Sequence, residues 1–314
     1  MHALRLPGFW VFALLLGLAI GARAQDTAPA RVGRIAELSG DVRLFDARTQ
    51  TWVPATRNRT VGTGERLAVA GGSAELEVGA SVLVLDRDAE LEAARLDDER
   101  LQFTLLRGSV AWRLQPPELA LQPELLTPQA RFQPLRAGLY RIDRYDDGSS
   151  GGTWRGLLRA STPEQVLTVE PGRRVGFPAD TTQRPQWSPL QDDAFAASVL
   201  RDSDRPAAVP ESVPADMTGV AELGRYGTWL QHPQFGWVWT PTLLPPQWEP
   251  YRFGQWTWVQ PWGWTWVDAA PWGFAPFHYG RWLRWDERWV WMPGPPQPRP
   301  RARPAPGFMP GVTR

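Results

Sequence analysis

Tryptophan is the residue type in this sequence whose number and spacing best suit binding chemistry. Fourteen of the 19 tryptophans lie between Trp229 and Trp291. Aromatic faces stack on sugar rings and on choline-like cations, because the ring offers a flat apolar area and an electron-rich face. Two to four exposed tryptophans in a row would therefore form a stacking platform for a glycan.

Three tryptophans are the best candidates for such a platform. Trp262 falls in a predicted turn, Trp272 in a predicted loop flanked by prolines, and Trp248 ranks behind them. The alternative is that the rings form a structural core. Fourteen rings of about 200 Å² each represent nearly 3,000 Å², whereas the largest apolar patch of a soluble monomer is about 300–600 Å². Most of the tryptophans must therefore be covered.

Residues suited to catalysis are few and scattered. His232 and His278 are the histidines outside the N-terminal segment, and a lone histidine among aromatic residues is usually packed or at the solvent edge. A glycosidase needs two facing carboxyl groups about 5–9.5 Å apart. The sequence does not exclude that Glu249 and Asp268 form such a pair. No nucleophile motif, phosphate-binding loop, dinucleotide fingerprint or metal-ligand spacing occurs. We therefore predict no catalytic residue, no metal site, no cofactor and no enzymatic activity.

Composition excludes further classes of function. The formal net charge is +1, which provides no large basic surface for nucleic acid. The chain has no cysteine, so a disulfide, a thiol nucleophile or a cysteine-ligated zinc site is impossible. The protein must fold without covalent cross-links, which raises the demand on its hydrophobic cores.

The N-terminus has the pattern of a signal peptide. An apolar run, Phe9–Ile20, precedes Ala22-Arg23-Ala24, which fits a cleavage site. The run is shorter than the about 20 residues that a membrane span needs. We predict a cleaved signal peptide at 1–24, a periplasmic or secreted location and no membrane span after cleavage. An uncleaved anchor is the alternative.

The tryptophans recur with a fixed period. Gly227, Gly254 and Gly280 are 27 and 26 residues apart, and each lies in an aromatic-Gly-x-Trp segment followed by a Trp-x-Trp pair. A repeat of this length indicates one supersecondary unit stacked on its copies. Residues i and i+2 share one face of a strand. We therefore predict three aromatic β-hairpins in 223–294, one of them formed by Trp256–Gln260 and Trp264–Asp268.

Alternating short strands dominate residues 31–180. Glycine-containing segments predict turns between them, at Ser39-Gly40, at Ala70–Ser73 and at Arg107-Gly108. A run of small residues at 146–152 predicts a flexible hairpin tip. This half of the chain is therefore expected to be a β domain with many turns.

One helix and two proline-rich segments complete the organisation. Ser188 is a good N-cap and Pro189 suits the first helical position, so we predict a helix at 188–202. The helix and a proline-rich linker together occupy 188–222, between the two domains. Residues 295–314 contain prolines and arginines without an acidic residue, which predicts a disordered tail.

The β domain at 31–180 resembles the FecR-type periplasmic domain. The resemblance rests on Gly33–Asp41, Trp52–Ala55, Gly62–Glu65, Ser73–Leu85, Leu106–Val110, Leu126–Pro128, Gly138–Arg141 and Val169–Val175. It implies a FecR-like β-sandwich or β-roll. FecR itself is a membrane-spanning regulator of a sigma factor with a cytoplasmic N-terminal segment, and we expect no such segment here. Signalling to a sigma factor is therefore not expected to carry over.

Residues from about 190 to 294 resemble a second family, a Trp-rich repeat domain of unknown function that often follows FecR-like domains in exported proteobacterial proteins. The resemblance rests on segments such as Tyr226–Trp229, Trp248–Tyr251, Trp258–Val267 and Pro271–Trp282. It implies an architecture and a location. The family has no established activity that could be transferred.

Together these patterns predict a mostly β, non-enzymatic envelope protein. A FecR-like β domain at 31–180 is followed by a Trp-rich hairpin repeat domain at 223–294. The expected function is binding or scaffolding, with a cell-envelope glycan or an envelope protein as the partner. The alternatives are a FecR-type signalling accessory and a cell-wall hydrolase.

Overall fold

The computed structural model describes residues 31–203 and 209–294, and the backbone of 312–313. The described chain is mostly β, as the sequence predicts, with short helices between the strands. The predicted signal peptide lies outside the described residues. So does the predicted disordered tail, apart from Val312–Thr313, which pairs in parallel with the strand that contains Trp282.

Residues 33–189 form one hydrogen-bonded sheet of fifteen strands, which we call the N-terminal sheet. Its strands are β1 (Gly33–Asp46), β2 (Thr51–Pro54), β3 (Thr60–Val61), β4 (Arg66–Val78), β5 (Ser81–Leu85), β6 (Glu90–Leu96), β7 (Leu101–Leu114), β8 (Glu124–Leu126), β9 (Arg131–Pro134), β10 (Gly138–Tyr145), β11 (Gly148–Arg155), β12 (Leu158–Ser161), β13 (Val166–Val169), β14 (Arg173–Pro178) and β15 (Gln186–Pro189). A 3₁₀ helix, Pro116–Leu121, connects β7 to β8.

The N-terminal sheet folds over on itself around one core. Strands β4 and β7 are joined through β5 at one end and through β6 at the other, and a path of neighbours continues from β7 through β10, β11 and β14 to β15. Alternate residues of these strands point inward, which follows from the two-residue period of a strand. The largest buried core side chains include Ile35, Leu44, Leu67, Phe103, Trp112, Phe132 and Tyr140.

Three predicted turns are instead bends inside continuous strands. Gly40 in β1 and Gly72 in β4 are paired with each other at positive φ, a conformation that favours glycine. A Cβ on either glycine would collide with the backbone of the facing strand. Gly108, also at positive φ, bends β7 where a Cβ would collide with Ala89. The prediction of turns was wrong because the facing strands stay paired on both sides of each bend.

The predicted flexible tip at 146–152 is also mostly strand. Only the first two residues form the turn, and Gly148 begins β11. The small residues of this strand fit tight neighbours, since a Cβ on Gly151 would collide with the Phe132 ring. Small side chains therefore reflect packing here, and the prediction of a long mobile tip was wrong.

The helix begins later than the sequence predicts. Helix α1 is Ala194–Ser203, and residues 186–189 form β15 on the edge of the sheet, paired with β14. Asp193 supplies the cap, because its Oδ1 accepts a hydrogen bond of 2.8 Å from the backbone N–H of Ala196. Ser188 and Pro189 are therefore strand residues. Phe195 and Val199, four residues apart on the helix, form an apolar stripe that packs on the outer face of the sheet.

Residues 223–294, which we call the tryptophan-rich region, contain the three predicted hairpins. Its elements are helix α2 (Leu223–Tyr226), β16 (Gly227–His232), β17 (Gly236–Pro241), β18 (Gly254–Val259), β19 (Gly263–Asp268), helix α3 (Ala275–His278), β20 (Arg281–Trp285) and β21 (Arg288–Met292). The first and third hairpins join into one sheet through the pair Trp239 and Trp291. The second hairpin, β18–β19, forms a separate two-stranded sheet.

Aromatic rings form the core of the tryptophan-rich region. Trp239, Trp282 and Trp291 are almost fully buried, and a cluster of buried residues from 213 to 291 surrounds them. Ring centroids in this cluster are 5.1–6.5 Å apart, mostly in edge-to-face or tilted arrangements, which suit the quadrupoles of aromatic rings. The core therefore uses most of the tryptophans of the repeats.

The tryptophan-rich region and the segment just before it pack against the N-terminal sheet through buried polar contacts. Asn58 Nδ2 donates to the carbonyls of Asp268 at 3.1 Å and Ala270 at 2.7 Å. Thr218 Oγ1 donates to the carbonyl of Val32 at 3.0 Å and accepts from the backbone N–H of Gly79 at 2.8 Å. Because buried polar groups are costly unless paired, these bonds fix one relative position of the two parts.

A buried ion triad lies at the same contact between the N-terminal sheet and the tryptophan-rich region, which we call the seam. Arg34 is 1% exposed, and its Nε donates to Glu77 at 2.9 Å, while Nη1 donates to Glu222. Burial alone would lower the pKa of Arg34, but the two carboxylates raise it above its ordinary value. The arginine therefore stays charged and connects β1 to the residue that precedes α2.

Candidate functional site

The second hairpin presents four tryptophans on one face. The antiparallel register places Trp256 opposite Trp266 and Trp258 opposite Trp264, and directly opposed residues of two strands share a face. The ring centroids are 5.5 Å apart in the first pair and 5.7 Å in the second, both edge-to-face. The hairpin is thus braced by two cross-strand aromatic pairs.

Three of these four rings are open to solvent. Trp256, Trp258 and Trp264 are 40%, 43% and 47% exposed, whereas Trp266 is 6% exposed and belongs to the core. At about 200 Å² per side chain, these fractions leave roughly 260 Å² of aromatic surface uncovered. That area approaches the largest apolar patch of a typical monomer, which is often functional. We call Trp256, Trp258 and Trp264 the aromatic face.

The indole nitrogens of the aromatic face are available to a ligand. Within residues 31–203 and 209–294, none of the three makes a hydrogen bond. The buried partner differs, because Trp266 Nε1 donates to Asp268 Oδ2 at 2.9 Å. The equivalent core tryptophans of the other repeats, Trp239 and Trp291, donate to backbone carbonyls. The aromatic face therefore offers three unused donors beside its apolar surface.

The second repeat differs from the others at one position. Trp258 occupies the place that Gln231 takes in the first hairpin and Arg284 in the third, as the paired registers show. A polar residue there leaves the facing tryptophan without an aromatic partner on the same face. The second repeat therefore carries the additional ring that completes the aromatic face.

A polar cleft borders the aromatic face where the hairpin meets the β1–β2 turn. Its volume is about 380 Å³, within the range of small-molecule sites. Trp258 forms one side of it. The residues that line it include Asp46, Arg48, Thr63, Glu65, Trp258 and Gln260.

The two carboxylates of the cleft, Glu65 and Asp46, already accept hydrogen bonds from nearby residues of the N-terminal half of the chain. Glu65 accepts from the backbone N–H of Gly62 at 2.8 Å and from Arg59 at 2.9 Å, and burial raises its pKa. Asp46 accepts from two backbone N–H groups of the β1–β2 turn. The guanidinium of Arg48 has no partner within the described part of the chain. The cleft therefore offers a free cationic donor beside an exposed indole.

Trp262 does not form the predicted exposed platform. It lies at the turn of the second hairpin, as expected, but it is 8% exposed. The ring packs with Val259 and Phe274 in the seam, and a Cβ on Gly62 of the N-terminal sheet would lie 3.1 Å from it. The expectation of exposure was wrong because another part of the chain covers this turn. Trp262 instead anchors the hairpin.

Trp272 and Trp248 are core residues. Trp272 is 4% exposed and Trp248 is 8% exposed, and their ring centroids are 5.6 Å apart. Both contact Trp282 in the aromatic cluster. The proline-flanked loops that carry them fold inward, so the expectation of exposure was wrong at both positions. Loop position alone does not show whether a large aromatic ring points to solvent.

The two histidines occupy different environments. His232 stacks on Phe235 with ring centroids 4.6 Å apart. His278 stacks on Phe274 at 3.9 Å, its Nδ1 is 2.8 Å from the Phe274 carbonyl, and its Nε2 is 3.4 Å from Thr60 Oγ1. Burial in the seam lowers the pKa of His278 to about 4. It is therefore neutral at pH 7 and part of the interface.

The carboxylates that were considered as a hydrolase pair differ in exposure. Glu249 is exposed. Asp268 is 3% exposed, and its carboxylate accepts hydrogen bonds of 2.9 Å from Trp266 Nε1 and from the backbone N–H of Ala270. Burial raises the pKa of Asp268 to about 6. In the described residues, no group of three histidine, aspartate or glutamate side chains could hold a metal ion.

The exposed tryptophans were not singled out from the sequence, although a signal for them existed. Alignment of the three repeats by their Gly-x-Trp segments puts Trp258 opposite Gln231 and Arg284. An additional tryptophan at a position that is polar in the sister repeats indicates a solvent-facing ring. Strand alternation then adds Trp256 and Trp264 to the same face.

Comparison with known proteins finds a family match over the repeat region but no activity. Residues 220–306, less than half of the chain, match a family of unknown function (DUF6600). No curated protein gives a significant match. In 31–203 and 209–294, no helix is both long and apolar enough to cross a membrane.

Two crystal structures of a proposed anti-sigma factor from Parabacteroides distasonis ATCC 8503 show limited similarity. The first, at 2.50 Å resolution, has 15% identity and a TM-score of 0.36, and it covers 44% of this chain and 64% of that chain. The second, at 1.65 Å resolution, has 13% identity and the same TM-score of 0.36, with 48% and 70% covered. The chain thus spans less than two thirds of the first structure. Similarity at this level supports no argument about function.

Proposed function

We propose that this protein is a non-enzymatic, exported binding protein that holds a cell-envelope glycan on the aromatic face of its second hairpin. The observation that carries the proposal is the exposure of Trp256, Trp258 and Trp264 in a region whose other rings are mostly packed into a core. Sugar rings have apolar faces that stack on indole rings and hydroxyl groups that hydrogen bond to polar side chains.

The protein provides stacking and hydrogen-bonding groups next to each other. The aromatic face supplies flat apolar area and unused indole N–H donors, and the adjoining cleft supplies Arg48, Thr63 and Gln260. An interface for a folded protein partner generally needs about 800 Å² on each side, several times the roughly 260 Å² of aromatic surface. A glycan, which needs a narrow strip of contact, therefore fits the dimensions better than a folded protein.

The hairpin is also held in a fixed position, which favours binding. Trp262 anchors its turn in the seam, and Asn58 fixes its end through the carbonyl of Asp268. Two cross-strand ring pairs stiffen the strands between these points. Preorganised groups lose little entropy on binding, which raises affinity.

The first experiment measures binding of the full chain to peptidoglycan sacculi by co-sedimentation, and to chitotetraose by calorimetry. The few residues that dominate an interface, among which tryptophan is enriched, each contribute about 2 kcal/mol or more. We therefore expect Trp258→Ala and Trp264→Ala each to weaken binding by about tenfold or more. Phe235→Ala is the matched control, because this exposed aromatic residue lies at the turn of the first hairpin.

Unchanged binding in both tryptophan variants, or equal loss in Phe235→Ala, would contradict the proposal. Capture of an envelope protein in place of sacculi, lost in Trp258→Ala, would identify the aromatic face as a protein-binding surface instead. The signalling and hydrolase alternatives stay predictions. Release of soluble muropeptides from sacculi by the wild-type chain would show that the protein is an enzyme.

A further inference from the structure

The first and third hairpins carry an apolar row on the face that points away from the aromatic core. In their strands the residue after the first tryptophan is aliphatic, whereas the second hairpin has threonine at both equivalent positions. The registers pair Leu230 with Val238 and Leu283 with Val290. Because neighbouring residues of a strand point to opposite faces, all four side chains lie opposite the core tryptophans. We call Leu230, Val238, Leu283 and Val290 the aliphatic row.

The centre of the aliphatic row is covered. Val238 is 0% exposed and Val290 is 1% exposed, and the strands that carry them are neighbours in the sheet. In residues 31–203 and 209–294, neither valine belongs to one of the hydrophobic clusters. An antiparallel sheet with buried apolar side chains on both faces needs a packing layer on each of them. The aliphatic row is therefore a docking surface that is occupied.

The C-terminal segment arrives at the edge of this surface. The backbone of Val312–Thr313 pairs in parallel with β20, at the edge of β20 that faces away from β21. β21 ends beside the start of β20, where Arg281 pairs with Met292. Residues 295–311 therefore join two points about two strand spacings apart, or about 10 Å. A few extended residues would span this distance, so the segment is long enough to cross the face of the sheet as well.

The last part of this segment has the side chains that an aliphatic surface favours. Phe308 and Met309 precede Val312 by four and three residues, and four extended residues span about 13 Å. β21 lies about 10 Å from the Val312–Thr313 strand, because β20 is between them. Both apolar side chains can therefore reach the centre of the aliphatic row.

We propose that segment 295–311 docks on the aliphatic row of its own chain, with Phe308 and Met309 packed on Val238 and Val290. A segment tethered to the same chain has a high effective concentration at the surface, which favours it over a second copy or another protein. The aliphatic row belongs to the first and third hairpins, so this surface is separate from the aromatic face. The proposal departs from the sequence prediction of a disordered tail.

Paramagnetic NMR of the full chain tests the proposal. The chain has no cysteine, so Ala305→Cys carries a nitroxide label at a single site. We expect the label to broaden the methyl signals of Val238 and Val290. The methyl signals of Val175, in the core of the N-terminal sheet, should stay unchanged. A mixture of nitroxide-labelled chain with isotope-enriched, label-free chain shows whether the docked segment comes from a second copy.

The apolar contacts are tested by Phe308→Ser/Met309→Ser in the labelled chain, which should lose most of the broadening at both valines. Arg299→Ser/Arg301→Ser is the matched control and should keep it, because the aliphatic row carries no charge. Thermal melts show whether each variant is folded. The proposal would be overturned by a parent chain without broadening at the two valines, by equal broadening in a folded Phe308→Ser/Met309→Ser chain, or by broadening that also appears in the mixture.

Discussion

The ion triad in the seam predicts that Arg34→Met destabilises the contact between the N-terminal sheet and the tryptophan-rich region. Arg34 is 1% exposed and pairs with Glu77 at 2.9 Å and with Glu222. Removal of one partner from a buried ion pair costs about 3–5 kcal/mol, because an uncompensated charge is left behind. Here Glu77 loses its cation and Glu222 keeps only the more distant Arg57, at 3.9 Å, so we expect a decrease in the free energy of unfolding of about 3–5 kcal/mol.

Urea unfolding, followed by tryptophan fluorescence and by circular dichroism, measures this effect. The tryptophan signal reports mainly on the tryptophan-rich region, and the circular dichroism reports on the strands of both parts. In Arg34→Met the fluorescence transition should move to lower urea. Arg43→Met is the control, since Arg43 lies on the same strand but is exposed; substitutions at such sites usually change stability by less than about 0.5 kcal/mol.

A third variant separates charge from packing. In Arg34→Met/Glu77→Gln/Glu222→Gln no unpaired charge remains, and a neutral replacement of a buried ion network is often tolerated. We expect most of the lost stability to return. If Arg34→Met alone costs less than about 1 kcal/mol, or if the triple variant is no more stable than the single one, the reasoning about the seam is refuted.

Three further predictions concern the buried residues of the tryptophan-rich region. The pKa of His278 is about 4 in the folded protein, below its ordinary 6.5. The contribution of His278 to the free energy of unfolding should therefore be complete above about pH 6.5. It should fall by about 3 kcal/mol as the pH drops through 4. His278→Gln should remove this part of the pH dependence in urea unfolding measured between pH 4 and 7. The pKa of Asp268 is about 6, above its ordinary 3.8. Stability that is present below about pH 3.8 should therefore be lost as the pH rises through 6, by about 3 kcal/mol. The wild type should lose stability relative to Asp268→Asn over that range. Trp272→Ala should cost about 3–5 kcal/mol as a core truncation, whereas the exposed Trp258→Ala should cost less than about 1 kcal/mol; equal losses in thermal melts would contradict the assignment of core and surface.

The sequence predicts the local structure of the hairpins well, because it is set by neighbours along the chain. The period of the Gly-x-Trp segments gives the three hairpins and the residues that share each strand face. The opposed pair Trp256 and Trp266 follows from strand alternation together with the turn around Pro261. The mostly β fold class follows from the same alternation in the N-terminal half.

The exposure of individual rings could not be predicted in this way, because it depends on contacts between distant segments. Trp262 is covered by Gly62, from a strand connection two hundred residues earlier in the chain. The bends at Gly40 and Gly72 are paired with each other across two strands, and this pairing keeps both strands continuous. Ser188 and Pro189 have the local pattern of a helix start, but they pair with the edge of β14 and form part of β15.

Acrylamide quenching of tryptophan fluorescence in the full chain, with and without muropeptides, tests the central claim most directly. The full chain is required because the connection around Gly62, in the N-terminal half, covers Trp262. The account predicts a readily quenched subset of tryptophans that muropeptides protect, and loss of that protection in Trp258→Ala/Trp264→Ala. Uniform shielding of all rings, unchanged by muropeptides, would contradict a glycan-binding role for the aromatic face.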